Sequence, residues 1–545
     1  MNKLLTMNKL LTTSAAALIA VCGTTGAWAQ SINESELSDP RVRQAIAYAI
    51  DMETIAETLF QGAAIPAVGL TSDPANYPKG MNTYSYNPER ARELLAEAGW
   101  DGSRTLDMVY YYPDQLTADF MAVVQAQLAD VGIDMTYRLL EGDVGAQITG
   151  RPDDPVNGPS VVEWDMLYGA RAAIANQEYF NRFAEGQMPM IPTVEEMLPL
   201  VEQVNGTVDP AVQRAGYQQM EGIINENVYI LPLYYQQLYI FESDRISRNG
   251  APYGNEQYSY NSDVINWTVE PNEDGERVAY TNAAPMQFFE LPWQNLGIWV
   301  HSRYAFDTIL EADGSLTPIG GELAESYEVS EDGLTLSFTM KEGLKWHDGS
   351  DLTAEDVVWS IETAALAPIV QPLVATTIGS IEGADAYKAG EADSISGISV
   401  DGRTVTLTFA TIDPNMLMSF AQFAPLPKAY LEGVDPLQIQ QHEFWQKPVG
   451  SGPFMIEEAR MNEFTTLVPF PDYHRGVAKI DRIIALPSAD GDANLIRNAA
   501  AFRADFGYTK NATDVPALEE MEHMNVTAVN IPYTRMFWIN QFPRE

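Results

Sequence analysis

Five histidines, one cysteine and 75 carboxylates are the residues from which catalysis or metal binding would have to be built. The histidines are His301, His347, His442, His474 and His523. No two of them stand at i, i+3 or i, i+4, and there is no H-E-x-x-H, so no helix carries a local metal pair. Gly450-Ser451-Gly452 looks like a turn that presents a nucleophilic serine. It lacks the G-x-S-x-G spacing, and nothing ties it to a histidine and an acid. There is no phosphate loop. The carboxylates are many, but no pair stands out as the general acid and base of a hydrolase. Neither a metal nor another cofactor is expected. What the residues do offer is non-covalent recognition. The chain has 10 Trp, 26 Tyr and 20 Phe, side chains that line ligand clefts beside a few polar groups when they are not core.

The charge balance narrows the partners. Lys and Arg number 32 against 75 Asp and Glu, a net charge of -43. Nucleic acid and anionic membranes require a basic footprint that such a surface lacks. The N-terminus reads as an export signal. Lys3 and Lys9 form a basic start, Ala15–Val21 is apolar, and Ala27-Trp28-Ala29 fits cleavage before Gln30. The apolar run is too short to span a bilayer. Met1–Thr6 recurs as Met7–Thr12. Cys22 would be removed with the signal, because Val21 before it fits a lipidation site poorly. The mature chain then has no thiol for disulfides or catalysis. At 545 residues the chain is long enough for two or three domains.

The elements that must position any site alternate in type. Asp39-Pro40 starts a helix with Val42, Ile46, Ala49 and Ile50 on one face. Asp51 caps a second that stops at Gly62, and Asn87-Pro88 opens a third that ends at Gly99. Thr105–Tyr111 and Ile133–Leu139 read as strands around a helix over Asp119–Val131. This alternation predicts an α/β domain with a largely parallel sheet. Residues 190–225 look helical, 228–241 strand-like, and 249–275 loop. Strands are expected over Arg277–Thr281 and Leu334–Met340, with a hairpin around Asp401-Gly402. Thr353-Ala354-Glu355-Asp356 is a capping box.

Several stretches together resemble the extracellular solute-binding proteins of family 5, the oligopeptide, dipeptide and nickel binders of ABC importers. They are Leu323-Ala324-Glu325-Ser326-Tyr327 running on to Thr335, and Gly343-Leu344-Lys345-Trp346-His347-Asp348-Gly349 with Leu352–Val357 behind it. Pro448–Phe454, Asp39–Ile46 with Ala49-Ile50-Asp51, and Ala91–Gly99 complete the set. The resemblance covers nearly all of the mature chain, but in a different order. In the family the Leu323 stretch comes first and the Arg41 stretch last, so the chain resembles a circular permutant. The usual C-terminus, near Trp267, is fused to the usual start, near Glu273.

The resemblance implies an α/β fold of the two-lobed periplasmic binding-protein kind (type II, the large three-subdomain variety), with a hinge and a central ligand cleft. It divides the chain into a signal peptide at 1–29, a lobe at 30–240, a hinge return and fused linker at 241–275, and a lobe at 276–545 with a subdomain near 320–435. One crossing between the lobes would be cut near Gln541 and Ser31, and the other kept near 236–248. The implied protein is a periplasmic monomer and not an enzyme. It would hand a peptide, an oligosaccharide or a similar polar solute to an ABC permease. A sensory or chaperone-like module on the same fold is the second reading, and a secreted hydrolase a distant third. Ligand-binding candidates beside the implied cleft are Trp164, Tyr168, Trp293, Trp299, Trp445 and Trp538. Arg171 is the seventh. It falls near the place where peptide-binding relatives put an acid for the ligand's amine, and an arginine suits a carboxylate, phosphate or sugar hydroxyl instead. His347 is implied to be structural.

Overall fold

The computed structural model describes residues 35–254, 263–283, 292–294, 304–313, 316–460, 463–487 and 493–544. The expected signal peptide, Cys22 and Trp299 fall outside them. The helix Pro40–Ala49 begins where Asp39 accepts the Arg41 N–H and proline fills the first position. It buries Val42, Ala45, Ile46 and Ala49, the face predicted by their spacing. Arg43 on the same helix is buried. Its guanidinium donates to Leu37 O and Ser38 O (2.8 and 2.7 Å), and to Asn227 O and Val228 O (2.9 and 3.1 Å). It thereby caps the helix Pro210–Asn227, whose C-cap Val228 has φ 46°, a left-handed conformation costly for a β-branched residue.

Strands Leu106–Tyr110 and Met135–Leu139 run parallel, joined by the helix Gln115–Asp130, and Met166–Ala172 is parallel to the first. Alternation along these strands feeds two cores. Met108, Met166, Tyr168 and Phe537 pack on one face with Phe120 and Val124. Val109, Leu167, Met536 and Trp538 pack on the other with Phe180 and Tyr217.

Two long strands, Ile230–Ser243 and Met524–Ile539, pair antiparallel and carry the sheet into the second lobe. There it continues through Phe506–Thr509, Val278–Ala283, Arg482–Pro487, Phe464–Pro469 and Phe454–Arg460. The second lobe has its own core, which includes Trp293, Phe306, Trp346, Phe423, Trp445 and Phe454. A separate antiparallel sheet, Ala324–Val329, Thr335–Met340, Thr404–Thr408 and Ile398–Asp401, supports the helices Ala354–Leu366 and Pro372–Gly379. The capping box at Thr353 and Asp356 forms in both directions, and Gly402 turns the hairpin at φ 60°.

Several sequence expectations shift. The helix expected from Asp119 starts at Gln115, because Asp114 accepts the Thr117 N–H. The helical stretch 190–225 is two helices, Leu198–Asn205 and Pro210–Asn227, with the second capped by Asp209 ahead of Pro210. Within 249–275, Thr268–Val269 pairs with Ile246–Ser247. The Arg248 guanidinium lies 4.2 Å over Trp267, and Asn272–Glu276 closes a tight turn on Gly275. The cut expected near Gln541 and Ser31 interrupts neither crossing strand among the described residues. Met524–Ile539 is continuous, because its backbone pairs with Ile230–Ser243 on one side and Met166–Ala172 on the other. Its last residues, Met536–Ile539, pack in the core of the first lobe. By packing, the lobes therefore meet within this strand.

Candidate functional site

Both lobes line a cavity of about 600 Å³. The first lobe contributes Tyr111, Arg151, Leu167, Arg171, Glu178, Arg182 and Trp538. The second contributes Pro372, Leu373, Thr376, Asp413 and Asn415. Apolar walls with a few converging polar groups suit a small polar ligand.

Register decides which side chains arrive. In the strand Met166–Ala172, Leu167 stands opposite Trp538 and Arg171 opposite Thr534. Leu167, Arg171 and Trp538 all reach the cavity. Tyr168 is one residue out of phase and turns to the other face. There its hydroxyl bonds the Tyr234 hydroxyl at 2.7 Å among Phe120 and Phe537.

Arg182 comes from the turn Asn181–Phe183. Its guanidinium stacks 4.4 Å over the Trp538 ring, a cation–π contact. Among the described residues no carboxylate pairs with it. Burial, with the Arg171 guanidinium adding repulsion, lowers its pKa to about 9. Arg171 has one weak ion pair, Nη2 to Glu178 Oε1 at 3.5 Å, and its Nε is buried without a hydrogen-bond partner. Glu178 is otherwise engaged, since its Oε2 accepts the N–H groups of Ile174 (2.6 Å) and Ala175 (3.2 Å). Across the cavity, Asp413 Oδ1 accepts the Asn415 N–H at 2.9 Å, and burial pushes its carboxyl up. Arg151, Arg171 and Arg182 thus face Glu178 and Asp413 on a cavity wall. In so acidic a chain this is a local excess of positive charge, and two neighbouring guanidiniums gain if an anionic group sits between them.

Of the seven sequence candidates, the cavity gathers Arg171 and Trp538. Trp164 is buried and donates to Gln147 O at 3.1 Å. Trp293 is buried, stacks on Phe423 and donates to Ala424 O at 2.7 Å. Its carbonyl accepts the Gln371 N–H (2.7 Å) at the start of the helix Pro372–Gly379, which borders the cavity. Trp445 donates to Ile439 O at 2.8 Å and packs on Phe306 and Phe444. These three rings have their faces and N–H groups taken by the core. Tyr168 is likewise core. Arg182, Glu178 and Asp413 were not singled out by motif.

The Gly450-Ser451-Gly452 turn is structural. A Cβ on Gly450 would lie 1.8 Å from Ala305 O, and one on Gly452 2.7 Å from Tyr304 O. Ser451 Oγ accepts the Asp307 N–H. His347 locks this turn. Its Nδ1 accepts the Gly450 N–H (3.2 Å) and its Nε2 donates to Gly452 O (2.9 Å). Burial lowers its pKa to about 4, so it works as the neutral ring.

The profile of the bacterial extracellular solute-binding proteins, family 5 (Middle), matches residues 23–166 and 319–542, more than half of the chain. A protein of Brucella ovis named for ABC-transporter peptide binding is 41% identical over 106 residues, 19% of this chain and 20% of its own length. The oligopeptide-binding protein of Lactococcus lactis subsp. cremoris is 28% identical over 185 residues, 32% of this chain and 31% of its own. The chain thus spans between a fifth and a third of the length of these curated relatives. Among solved structures, the murein tripeptide-binding protein of Escherichia coli aligns over 43% of this chain and 46% of its own, with 21% identity and a TM-score of 0.35.

Proposed function

Since the chain belongs to the bacterial extracellular solute-binding proteins of family 5, we propose that it captures a peptide in the cavity between its lobes and delivers it to an ABC permease. The observation that carries this reading is the pair Arg171 and Arg182 on the first lobe's wall of the cavity, with Trp538 beneath the second guanidinium. Two forks within reach of one another suit a carboxylate, and the ligand's free C-terminus is the group assigned to them. The relatives named for peptide and oligopeptide binding support the same class. Oligosaccharide is the weaker reading. Sugar rings bind on open aromatic faces, whereas the ring of Trp538 is covered by Arg182 and those of Trp164, Trp293 and Trp445 are buried.

On this reading the chain is exported through the signal at 1–29 and works in the periplasm as a monomer without enzymatic activity. The closed pair of lobes, rather than either lobe alone, docks on the permease. The lobes are 30–240 and 276–545, with the end of the Met524–Ile539 strand returning to the first. The permuted order belongs to the proposal. It is supported by the tight turn at Asn272–Glu276 and by the nearness of Glu36 and Arg544. Arg104 pairs with both Glu36 and Asp165, and Asp165 also pairs with Arg544.

Thermal unfolding of the chain with a panel of ligands tests the assignment. Peptides with a free C-terminus should raise the midpoint, since a ligand at a hundred times its Kd adds about 2.7 kcal/mol. C-terminally amidated peptides and oligosaccharides should not. A shift caused by oligosaccharides alone would remove the peptide reading.

A further inference from the structure

Away from the cleft, three segments bring metal-ligating groups to one point. The ligand atoms of Asp307, Glu322 and His474 all lie within 4.8 Å of one another. His474 Nε2 is 3.1 Å from Asp307 Oδ2 and 3.3 Å from Glu322 Oε1. The Tyr473 hydroxyl is 3.3 Å from both carboxylates. None of these residues lines the ligand cavity. A second, small cavity of about 40 Å³ borders the cluster, walled in part by Asp263, Glu311 and Arg475.

We propose that Asp307, Glu322 and His474 bind a divalent transition-metal ion, which ties the segment around Asp307 to Glu322 and to the Tyr473–Arg475 turn. Three observations carry this. The first is spacing. Ligands bound at about 2.0–2.2 Å to one ion stand roughly 2.8–3.6 Å apart at adjacent corners of an octahedron or tetrahedron, and the His474 contacts of 3.1 and 3.3 Å fall in that range. The second is charge. Asp263, Asp307, Glu311 and Glu322 bring four carboxylates together. Arg475 pairs with Asp263 and Glu322, and Lys341 Nζ donates to Glu322 O. The two cations leave the four carboxylates in excess, a surplus that one divalent ion offsets. The third is enclosure. Asp307 and Glu322 are 7% and 8% exposed, so bulk water cannot solvate that surplus. The adjoining cavity has room for the one or two waters that would complete a coordination shell. One imidazole with two carboxylates favours Zn²⁺ and its first-row neighbours over Ca²⁺ or Mg²⁺.

The rival state is a protonated His474 bridging both acids with no ion, and calorimetry separates the two. Chelator-stripped full-length chain is titrated with Zn²⁺ in excess Mg²⁺, which occupies exposed carboxylates. The expected result is one tight equivalent per chain and a higher thermal midpoint on loading. Affinity should fall at least tenfold in His474→Gln and in Glu322→Gln. No tight equivalent, or the same affinity in wild type and folded variants, overturns the proposal. If the variants do not fold, X-ray absorption on the Zn²⁺-loaded wild type decides it. One imidazole among oxygen ligands upholds the site, and a shell without imidazole, or loading below one equivalent, overturns it.

Discussion

Replacing Arg182 by methionine should raise the stability of the empty protein while weakening its grip on ligand. Methionine keeps an apolar stem over Trp538 and removes the guanidinium. The guanidinium is held at a cost, since burial and the nearby Arg171 bring its pKa from above 12 to about 9. At face value a shift of that size is worth roughly 5 kcal/mol. The cavity is open to water, so screening reduces the gain to about 1–2 kcal/mol. Binding moves the other way. A charge-assisted bond to a carboxylate is worth about 1.5–3 kcal/mol, a loss of roughly 10- to 150-fold in Kd. Urea unfolding of the empty chain gives the first quantity, and calorimetry with a peptide that shifts the wild-type midpoint gives the second. The opposed signs follow from one cause, a charge held ready for a partner. A variant that loses stability and keeps its affinity would refute the reasoning, because Arg182 would then be a packing residue.

Three further outcomes follow from the geometry. Gly450→Ala drives a Cβ to 1.8 Å from Ala305 O. Backbone cannot yield as a side chain can, so the cost should be about 3 kcal/mol or more in urea unfolding. Trp445→Ala should cost about 3–5 kcal/mol and leave ligand affinity unchanged in the protein that still folds, since the ring is core. Stability should also fall in acid through His347. Its folded pKa, about 4, lies below the 6.5 of the unfolded chain. The contribution is therefore complete above pH 6.5 and lost as pH falls toward 4, by up to about 3 kcal/mol. Glu221 acts in the opposite sense. Burial raises its pKa from 4.5 to about 7, so its share is present below pH 4.5 and lost as pH rises through 7. Unfolding of His347→Asn between pH 4 and 7 should show a weaker loss of stability in acid than wild type.

What could be read from the residues alone was local or was carried by long motifs. Asp39 with Pro40, Asn87 with Pro88 and Thr353 with Asp356 mark helix starts because the capping bond spans only three or four residues. The family stretches pointed to the solute-binding proteins of family 5, the family whose profile matches, and the spacing of the histidines and of Ser451 gave no enzyme motif. Arg171 and Trp538 were found among the candidates, and both line the cavity.

Tertiary structure decided the rest, because each remaining feature depends on pairing between distant segments. The register of Met166–Ala172 against Met524–Ile539 sends Leu167 and Arg171 to the cavity and Tyr168 to the core, and no property of Tyr168 itself distinguishes the two faces. Trp164, Trp293 and Trp445 are of the residue type that lines clefts, but the fold spends their N–H groups on Gln147, Ala424 and Ile439. Arg182 has no acid in its own turn and comes to the cavity wall over Trp538 only because the chain's last strand brings that ring beneath it. His474 has no histidine or acid at helical spacing that would mark a metal site. Asp307 and Glu322 reach it from far along the chain. Composition and motif thus determined which family this chain belongs to, while sheet register and the meeting of the lobes decided which of its many aromatics and charges line the cavity.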